Sequence, residues 1–216
     1  MSADRTTSAL AHQFDDAEQQ FEASSLGMWA FLATEILFFG GLFAAYAVYR
    51  MSYPEAFAAA SNRLDILLGT VNTAVLIGSS LTMALAVFAA RWAEPRTQAG
   101  FLIATLILGL IFLGVKAIEY SHKFHEDLFP GVAFQFTGAD PGNAKIFFSL
   151  YFAMTGMHAL HMIIGAGLLV VITIQALRGR FSKHYYTPVE MVGLYWHFVD
   201  IVWIFLFPLL YLIGRH

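Results

Sequence analysis

Five long apolar stretches, separated by shorter polar segments, dominate the hydrophobic pattern of the chain. They occupy residues 27–49, 66–90, 100–119, 146–177 and 191–213. A helix that crosses a membrane needs about 20 mostly apolar residues, because the hydrocarbon core is about 30 Å thick and a helix rises about 1.5 Å per residue. The pattern therefore predicts an all-α fold, a polytopic transmembrane bundle with five membrane-spanning helices.

The N-terminal segment before the first stretch differs in character from the rest of the chain. It lacks the basic start and the apolar core of a secretory signal peptide. Its one arginine, Arg5, is outnumbered by Asp4, Asp15, Asp16, Glu18 and Glu22. We predict a polar acidic tail over residues 1–26, solvated and either amphipathic or loosely structured, followed by a five-helix membrane domain over residues 27–216.

Charge is segregated along the chain rather than uniformly scarce. The sequence has 12 Lys and Arg and 15 Asp and Glu, but the five stretches hold only four of these charges: Glu35, Lys116, Glu119 and Asp200. Lipid offers no water to backbone groups, so long segments poor in charge indicate membrane helices. A net charge of −3 gives no basic surface for nucleic acid, and the lack of cysteine excludes disulfides, thiol catalysis and iron–sulfur ligation.

Basic residues near the ends of the stretches determine the orientation only weakly, because the two sides carry nearly equal numbers. The compact group Arg178, Arg180 and Lys183 lies beside the end of the fourth stretch. Under the positive-inside rule this group favours a cytoplasmic N-terminus. The C-terminus and the longest loop, residues 120–145, would then lie outside.

Glu35 is the single charged residue of the first stretch. An ionisable group at membrane depth costs roughly 2.5–3.5 kcal/mol on insertion scales, so it is a functional candidate. Two interpretations are open: a protonatable group near a proton path, or a protonated acid that hydrogen-bonds a neighbouring helix.

Two histidines, His158 and His161, lie three residues apart in the fourth stretch and therefore on one helix face. A metal site needs three or four ligands, and a haem could be held by one of the two together with His197. The small residues Gly156 and Gly165 instead indicate a close contact between helices, in which imidazoles provide hydrogen bonds. The spacing favours packing or hydrogen bonding over a metal site.

The last stretch places Trp196, His197, Asp200 and Trp203 on one helix face by their spacing. His197 is positioned to donate to Asp200 within the helix, as an ion pair or as part of a proton relay. Both tryptophans lie too deep for an interfacial belt, so we expect them to pack against a partner helix or lipid.

A ladder of spaced polar residues ends the third stretch: Lys116, Glu119, Tyr120 and Lys123. We expect ion pairs at the membrane edge that face solvent or headgroups, and we assign them no chemistry. The chain has no phosphate-binding glycine loop and no carboxylate dyad, so we expect no catalytic centre of its own.

Five sequence blocks, one per stretch, form a specific pattern. They are WAFLATEILFFGGLFAAY (29–46), NTAVLIGSSLT (72–82), KAIEY (116–120), TGMHALHMIIG (155–165) and YWHFVDIVWIF (195–205). In this order they closely resemble subunit III of the haem–copper cytochrome c oxidases. The block that begins YWHFVD is highly specific, and together the five cover most of the chain from residue 27 onward.

The resemblance implies a subunit that carries no haem or copper, since those cofactors lie on partner subunits. Such a subunit packs against oxidase subunit I in a complex with subunit II that takes electrons from cytochrome c in a bacterial-type inner membrane. It binds phospholipids, supports proton uptake and protects the oxidase from inactivation during turnover. The resemblance also makes Glu35 the buried carboxylate near the side where protons enter, and His158, His161, His197 and Asp200 match further positions of the family.

The chain departs from the mitochondrial-type members, which have seven helices. Their two additional N-terminal helices form the other wall of the lipid cleft, so a small subunit would have to supply them here. A subunit III-like accessory protein of a nitric oxide reductase also has a short form and is the main alternative. A stand-alone haem-binding membrane cytochrome and a small transporter are the remaining ones.

Overall fold

A computed structural model of the chain describes residues 12–131, 134–138, 140–182 and 185–212. Within these ranges six α-helices are followed by one π-helical turn. They are α1 (Ala17–Ser52), α2 (Pro54–Ser61), α3 (Ile66–Arg91), α4 (Pro95–His125), α5 (Pro141–Leu177), α6 (Thr187–Phe207) and the turn Pro208–Leu212. Arg5 and Lys183, which enter the predicted orientation, lie outside the described residues, as does the end of the fifth stretch.

Five of these helices are long and apolar enough to cross a membrane: α1, α3, α4, α5, and α6 together with the turn that follows it. The predicted all-α fold with five membrane-spanning helices is confirmed. In the described residues the sole β-type pairing is an isolated bridge between Ser182 and Tyr185. α1, α4 and α6 begin at one end of the bundle, which we call the near end, and finish at the far end.

Aspartate side chains cap the first turns of α1 and α3. The Asp16 carboxylate accepts a hydrogen bond from the backbone N–H of Gln19 at 2.7 Å, and Asp65 accepts from Leu67 and Leu68. Such side chains satisfy N–H groups that have no partner in the first helical turn. α1 therefore begins within the predicted tail, of which residues 1–11 lie outside the described part.

The length of α1 exceeds the thickness of a membrane. Its 36 residues extend over about 54 Å at about 1.5 Å per residue, against a hydrocarbon core of about 30 Å. Its first turns, with Glu18 and Glu22 exposed, therefore continue beyond the apolar layer as helix.

α6 lies at the centre of the bundle, where it packs against α1, α3 and α5. Two glycines admit its largest side chain. A Cβ atom at Gly109 of α4 would lie 2.7 Å from Cη2 of Trp196, and one at Gly165 of α5 would lie 2.9 Å from Cζ3 of the same ring. Small residues let membrane helices approach closely, and here they make room for a ring that is fully buried.

The short helix α2 covers the far end of the bundle. Its buried Phe57 packs edge to face against Tyr46 of α1 and Phe147 of α5, with ring centroids 5.5 Å apart in both pairs. The hydroxyl of Ser61 donates to the carbonyl of Leu210 at 2.7 Å. Its eight residues are too few to span a membrane, so a search for long apolar stretches does not find it.

Candidate functional site

Glu35 of α1 and His161 of α5 form a pair between two membrane-spanning helices. Oε2 of Glu35 lies 3.1 Å from Nε2 of His161, and the side chains are 19% and 10% exposed. Nδ1 of His161 lies 2.8 Å from the carbonyl oxygen of Met157, which can only accept, so Nδ1 carries a proton. The contact to Glu35 then needs one further proton, on the carboxyl or on Nε2. The pair shares that proton.

Aromatic rings from α1 and α6 surround this pair. The ring of Phe39 lies 5.3 Å from the imidazole of His161, and the ring of Tyr195 stacks on it at 6.5 Å. The Tyr195 hydroxyl donates to the backbone carbonyl of His161 at 2.9 Å. The rings limit access of water, and the hydrogen bond fixes α6 against the helix turn that carries the imidazole.

His158 faces a different helix from His161. Its Nε2 lies 3.1 Å from the carbonyl oxygen of Val199 on α6, and its ring packs against those of Phe112 and Trp203, with centroids 5.3 and 5.2 Å away. Nδ1 has no hydrogen-bond partner among the described residues. This fully buried imidazole therefore joins α5 to α6.

The predicted hydrogen bond from His197 to Asp200 is wrong. Nδ1 of His197 instead lies 2.8 Å from Oγ of Ser80 on α3. Ser80 also lies beside the Asp200 carboxyl, but neither Asp200 oxygen has a partner in hydrogen-bond geometry within the described chain, although the residue is only 3% exposed. His197 therefore contacts the Ser80 hydroxyl of the neighbouring helix α3 instead of the Asp200 carboxylate of its own helix.

Both tryptophans of α6 pack against other helices of the chain and are fully buried. Nε1 of Trp196 donates to Oγ of Ser79 at 2.8 Å, and Nε1 of Trp203 donates to Oγ1 of Thr73 at 3.0 Å. The acceptors belong to a polar stripe on α3, which serves as the hydrogen-bonding face for α6. In the sequence, these acceptors were indicated by the polar residues that interrupt the second apolar stretch, which carries no charge.

The ladder at the end of the third stretch does not face solvent or headgroups as predicted. Lys116 and Glu119 are 3% and 1% exposed, with Nζ 2.9 Å from Oε2. Nζ also donates to the hydroxyls of Tyr211 and Tyr151 at 3.0 and 3.3 Å, and both hydroxyls donate to Oε1 of Glu119. All three ammonium donors are thereby satisfied, and the cation lies 5.1 Å from the ring of Trp203.

These polar groups do not converge on a cofactor site. Among the described residues, no group of three or more His, Asp and Glu side chains is arranged to hold a metal ion. His158, His161 and His197 contact α6, α1 and α3 respectively, each through a separate partner. The geometry therefore does not fit a haem held by two of these imidazoles, since each ring is oriented toward its own partner.

Comparison with known proteins gives one consistent family. The sequence model of cytochrome c oxidase subunit III matches residues 16–215. The chain is 32% identical over 202 residues to cytochrome c oxidase subunit 3 of Thermostichus vulcanus, which covers 93% of this chain and 92% of that protein. It is 28% identical over 200 residues to proteins named "Probable quinol oxidase subunit 3" from Staphylococcus aureus and Staphylococcus haemolyticus, which covers 93% of this chain and 94% of each. The matched region contains every intramembrane polar residue described above, and the chain belongs to the cytochrome c oxidase subunit III family.

Proposed function

We propose that this subunit of a haem–copper oxidase has no redox role of its own and supports proton uptake by the catalytic subunit I through Glu35 and His161. The observation that carries the proposal is the 3.1 Å contact between a carboxyl and an imidazole across two membrane helices, which needs one proton between the two groups. An imidazole changes its protonation near neutral pH in response to small changes in its surroundings. A pair of this kind can accept or release a proton without moving a helix.

The proposed orientation puts the near end of the bundle at the cytoplasm, in a bacterial-type inner membrane. Glu35 lies eight residues into the first apolar stretch, a depth of about 12 Å along the helix. The pair would then lie in the half of the membrane from which an oxidase takes its protons. The haem and copper centres would lie on subunits I and II.

A phospholipid chain has a suitable place between α1 and α6. A hollow of about 500 Å³ is lined almost wholly by apolar side chains, among them Trp29, Ile36, Phe43, Phe198 and Phe205. Such a surface can hold an acyl chain without leaving polar groups unsatisfied. We propose that a phospholipid chain occupies this hollow and that two helices of a small partner subunit, where one is present, cover it.

The test is Glu35→Gln in the purified oxidase, reconstituted into vesicles. The amide keeps the shape of the side chain but cannot exchange a proton, so we expect sustained turnover and proton uptake to fall severalfold while the complex stays assembled. Glu94→Gln is the matched control, because Glu94 is exposed in the turn between α3 and α4. Unchanged turnover and proton uptake in Glu35→Gln would leave this pair a packing role only.

Co-purification with an affinity tag tests the proposed partners and electron donor. We expect the tagged chain to retain oxidase subunits I and II, and the complex to oxidise reduced cytochrome c and reduce oxygen. The relatives include both cytochrome c oxidase and quinol oxidase subunits, so oxidation of quinol but not of cytochrome c would correct the donor. Recovery of a nitric oxide reductase catalytic subunit would overturn the assignment to an oxidase.

A further inference from the structure

Asp200 is a buried acid that has no partner in hydrogen-bond geometry among the described residues, and it lines a hollow of about 400 Å³ between α3 and α6. Removing a polar group from water without giving it a hydrogen-bonding partner is unfavourable, so buried polar groups in proteins are normally bonded. The nearby Ser80 hydroxyl lies 2.8 Å from Nδ1 of His197, and neither Asp200 oxygen meets a donor in hydrogen-bond geometry within the described chain. The open side of the hollow is where such a donor could enter.

This hollow is part of a longer groove along α6. A second hollow of about 430 Å³ continues it toward the near end, past His197 to the surface ion pair of Arg91 and Glu190. From Glu190 to Ile204 the groove follows α6 for about 21 Å, at about 1.5 Å per residue. We call these two hollows together the α3–α6 groove, and it extends through most of the hydrocarbon thickness.

The rim of the α3–α6 groove is apolar and exposed on both helices. Ile77 and Leu81 of α3 are 57% and 61% exposed, and Ile201 and Ile204 of α6 are 51% and 48% exposed. Asp200 lies between them, about midway along the membrane span Thr187–Leu212. The groove therefore presents an apolar face with one acid at the depth where neither water nor lipid headgroups are found.

We infer that the α3–α6 groove binds a transmembrane helix of oxidase subunit I, with a hydrogen-bonding side chain of that helix placed against Asp200. The inference rests on the proposed packing of this chain against subunit I. An acyl chain would fill the groove but would leave the acid without a partner. A helix supplies both an apolar surface of this length and a polar side chain at mid-membrane depth, and such side chains hold membrane helices together.

A photoreactive residue identifies the occupant. Ile77→benzoylphenylalanine places the probe on the α3 side of the groove, away from the hollow between α1 and α6. Ile107→benzoylphenylalanine on α4 is the matched control, because the two isoleucines are 57% and 51% exposed. On illumination of the assembled oxidase we expect a covalent product between position 77 and a membrane helix of subunit I, and a several-fold lower yield from position 107. Position 77 linked to lipid, to quinol or to another subunit would overturn the inference.

Substitution of Asp200 tests the hydrogen bond itself. Hydrogen bonds between membrane helices contribute modestly, so we expect Asp200→Leu to shorten the time for which subunit I retains this chain in detergent roughly three- to fifteenfold. Asp200→Asn, which can still bond, should retain most of it. Thr173→Val is the control, because that buried hydroxyl bonds within its own helix to Leu169.

The outcomes separate this inference from the proposed function. If the unmodified chain fails to co-purify with subunit I, the proposed function itself is wrong. If the unmodified chain and Asp200→Leu are retained equally well, the function stands and Asp200 has no part in docking.

Discussion

Lys116 and Glu119, one turn apart on α4, form an ion pair that is sealed inside the bundle, with 2.9 Å between Nζ and Oε2. Removing one partner of a buried pair is costly because the other charge remains without compensation, typically about 3–5 kcal/mol. Tyr151 of α5 and Tyr211 of the turn Pro208–Leu212 hydrogen-bond to the same pair, so loss of Lys116 would also remove a partner from each tyrosine. The buried ion pair thus holds α4, α5 and this turn together.

We therefore expect Lys116→Met to destabilise the folded protein by about 3–5 kcal/mol. The double variant Lys116→Met/Glu119→Gln should recover much of this loss, because the amide is neutral and its oxygen can still accept from Tyr151 and Tyr211. Denaturant unfolding of the purified protein in detergent measures both. If the double variant were less stable than the single one, the cost would come from lost packing rather than from an uncompensated charge.

Gly109→Ala should lower stability, because the added methyl would lie 2.7 Å from the ring of Trp196. Overpacking of a well-filled core typically costs about 1–3 kcal/mol. Gly114→Ala is the matched control on the same helix, since a Cβ there meets nothing within 4 Å. We expect that control to be neutral or slightly stabilising. Equal midpoints of thermal unfolding for the two variants would show that the ring moves aside without cost.

Ser79→Ala removes the acceptor for the buried indole N–H of Trp196, which lies 2.8 Å away. Leaving a buried donor unsatisfied costs about 1–3 kcal/mol, so the unfolding midpoint should fall. Ser149→Ala serves as the comparison, because Ser149 is exposed and bonds only to the carbonyl of Lys145 in its own helix. A similar decrease for both serines would contradict a specific role for the indole contact.

Glu35→Gln and His161→Gln should impair proton uptake to the same extent, and combining them should add little. The reason is that the two side chains share one proton, and residues that act as a unit are not additive. Rates of proton uptake by the two single variants and the double variant, in reconstituted vesicles, decide the matter. Fully additive losses would mean that the two groups act independently.

The hydrophobic pattern was sufficient to predict the five membrane helices, because the requirement for about 20 apolar residues acts on contiguous sequence. The positions of Trp196 and Trp203 within the last stretch also predicted that they lie deep in the membrane and pack against a helix or lipid, and both are fully buried in the bundle. The start of α1 was not predicted, because it depends on the single cap at Asp16 rather than on hydropathy.

The errors in the polar sites share a physical cause. Lys116 and Glu119 look like a solvated ladder within α4 alone, and their burial depends on Tyr151 and Tyr211, which are 35 and 95 residues beyond Lys116. His197 likewise bonds to Ser80, which is 117 residues away, instead of to Asp200 in its own helix. Spacing within one helix shows which side chains are neighbours there, but competition from a facing helix decides the hydrogen bonds.

The contact between Tyr211 and Glu119 has a consequence for biosynthesis. Tyr211 follows Glu119 by 92 residues, which a ribosome adds in about 5–20 s at 5–20 residues per second. During that time the two charged groups of α4 have only each other and, once α5 is made, the Tyr151 hydroxyl as partners in the membrane. The buried ion pair of the nascent bundle therefore stays incompletely hydrogen-bonded until Tyr211 is added. Any factor that shields or degrades incomplete membrane proteins would act on this subunit before that last helical turn is made.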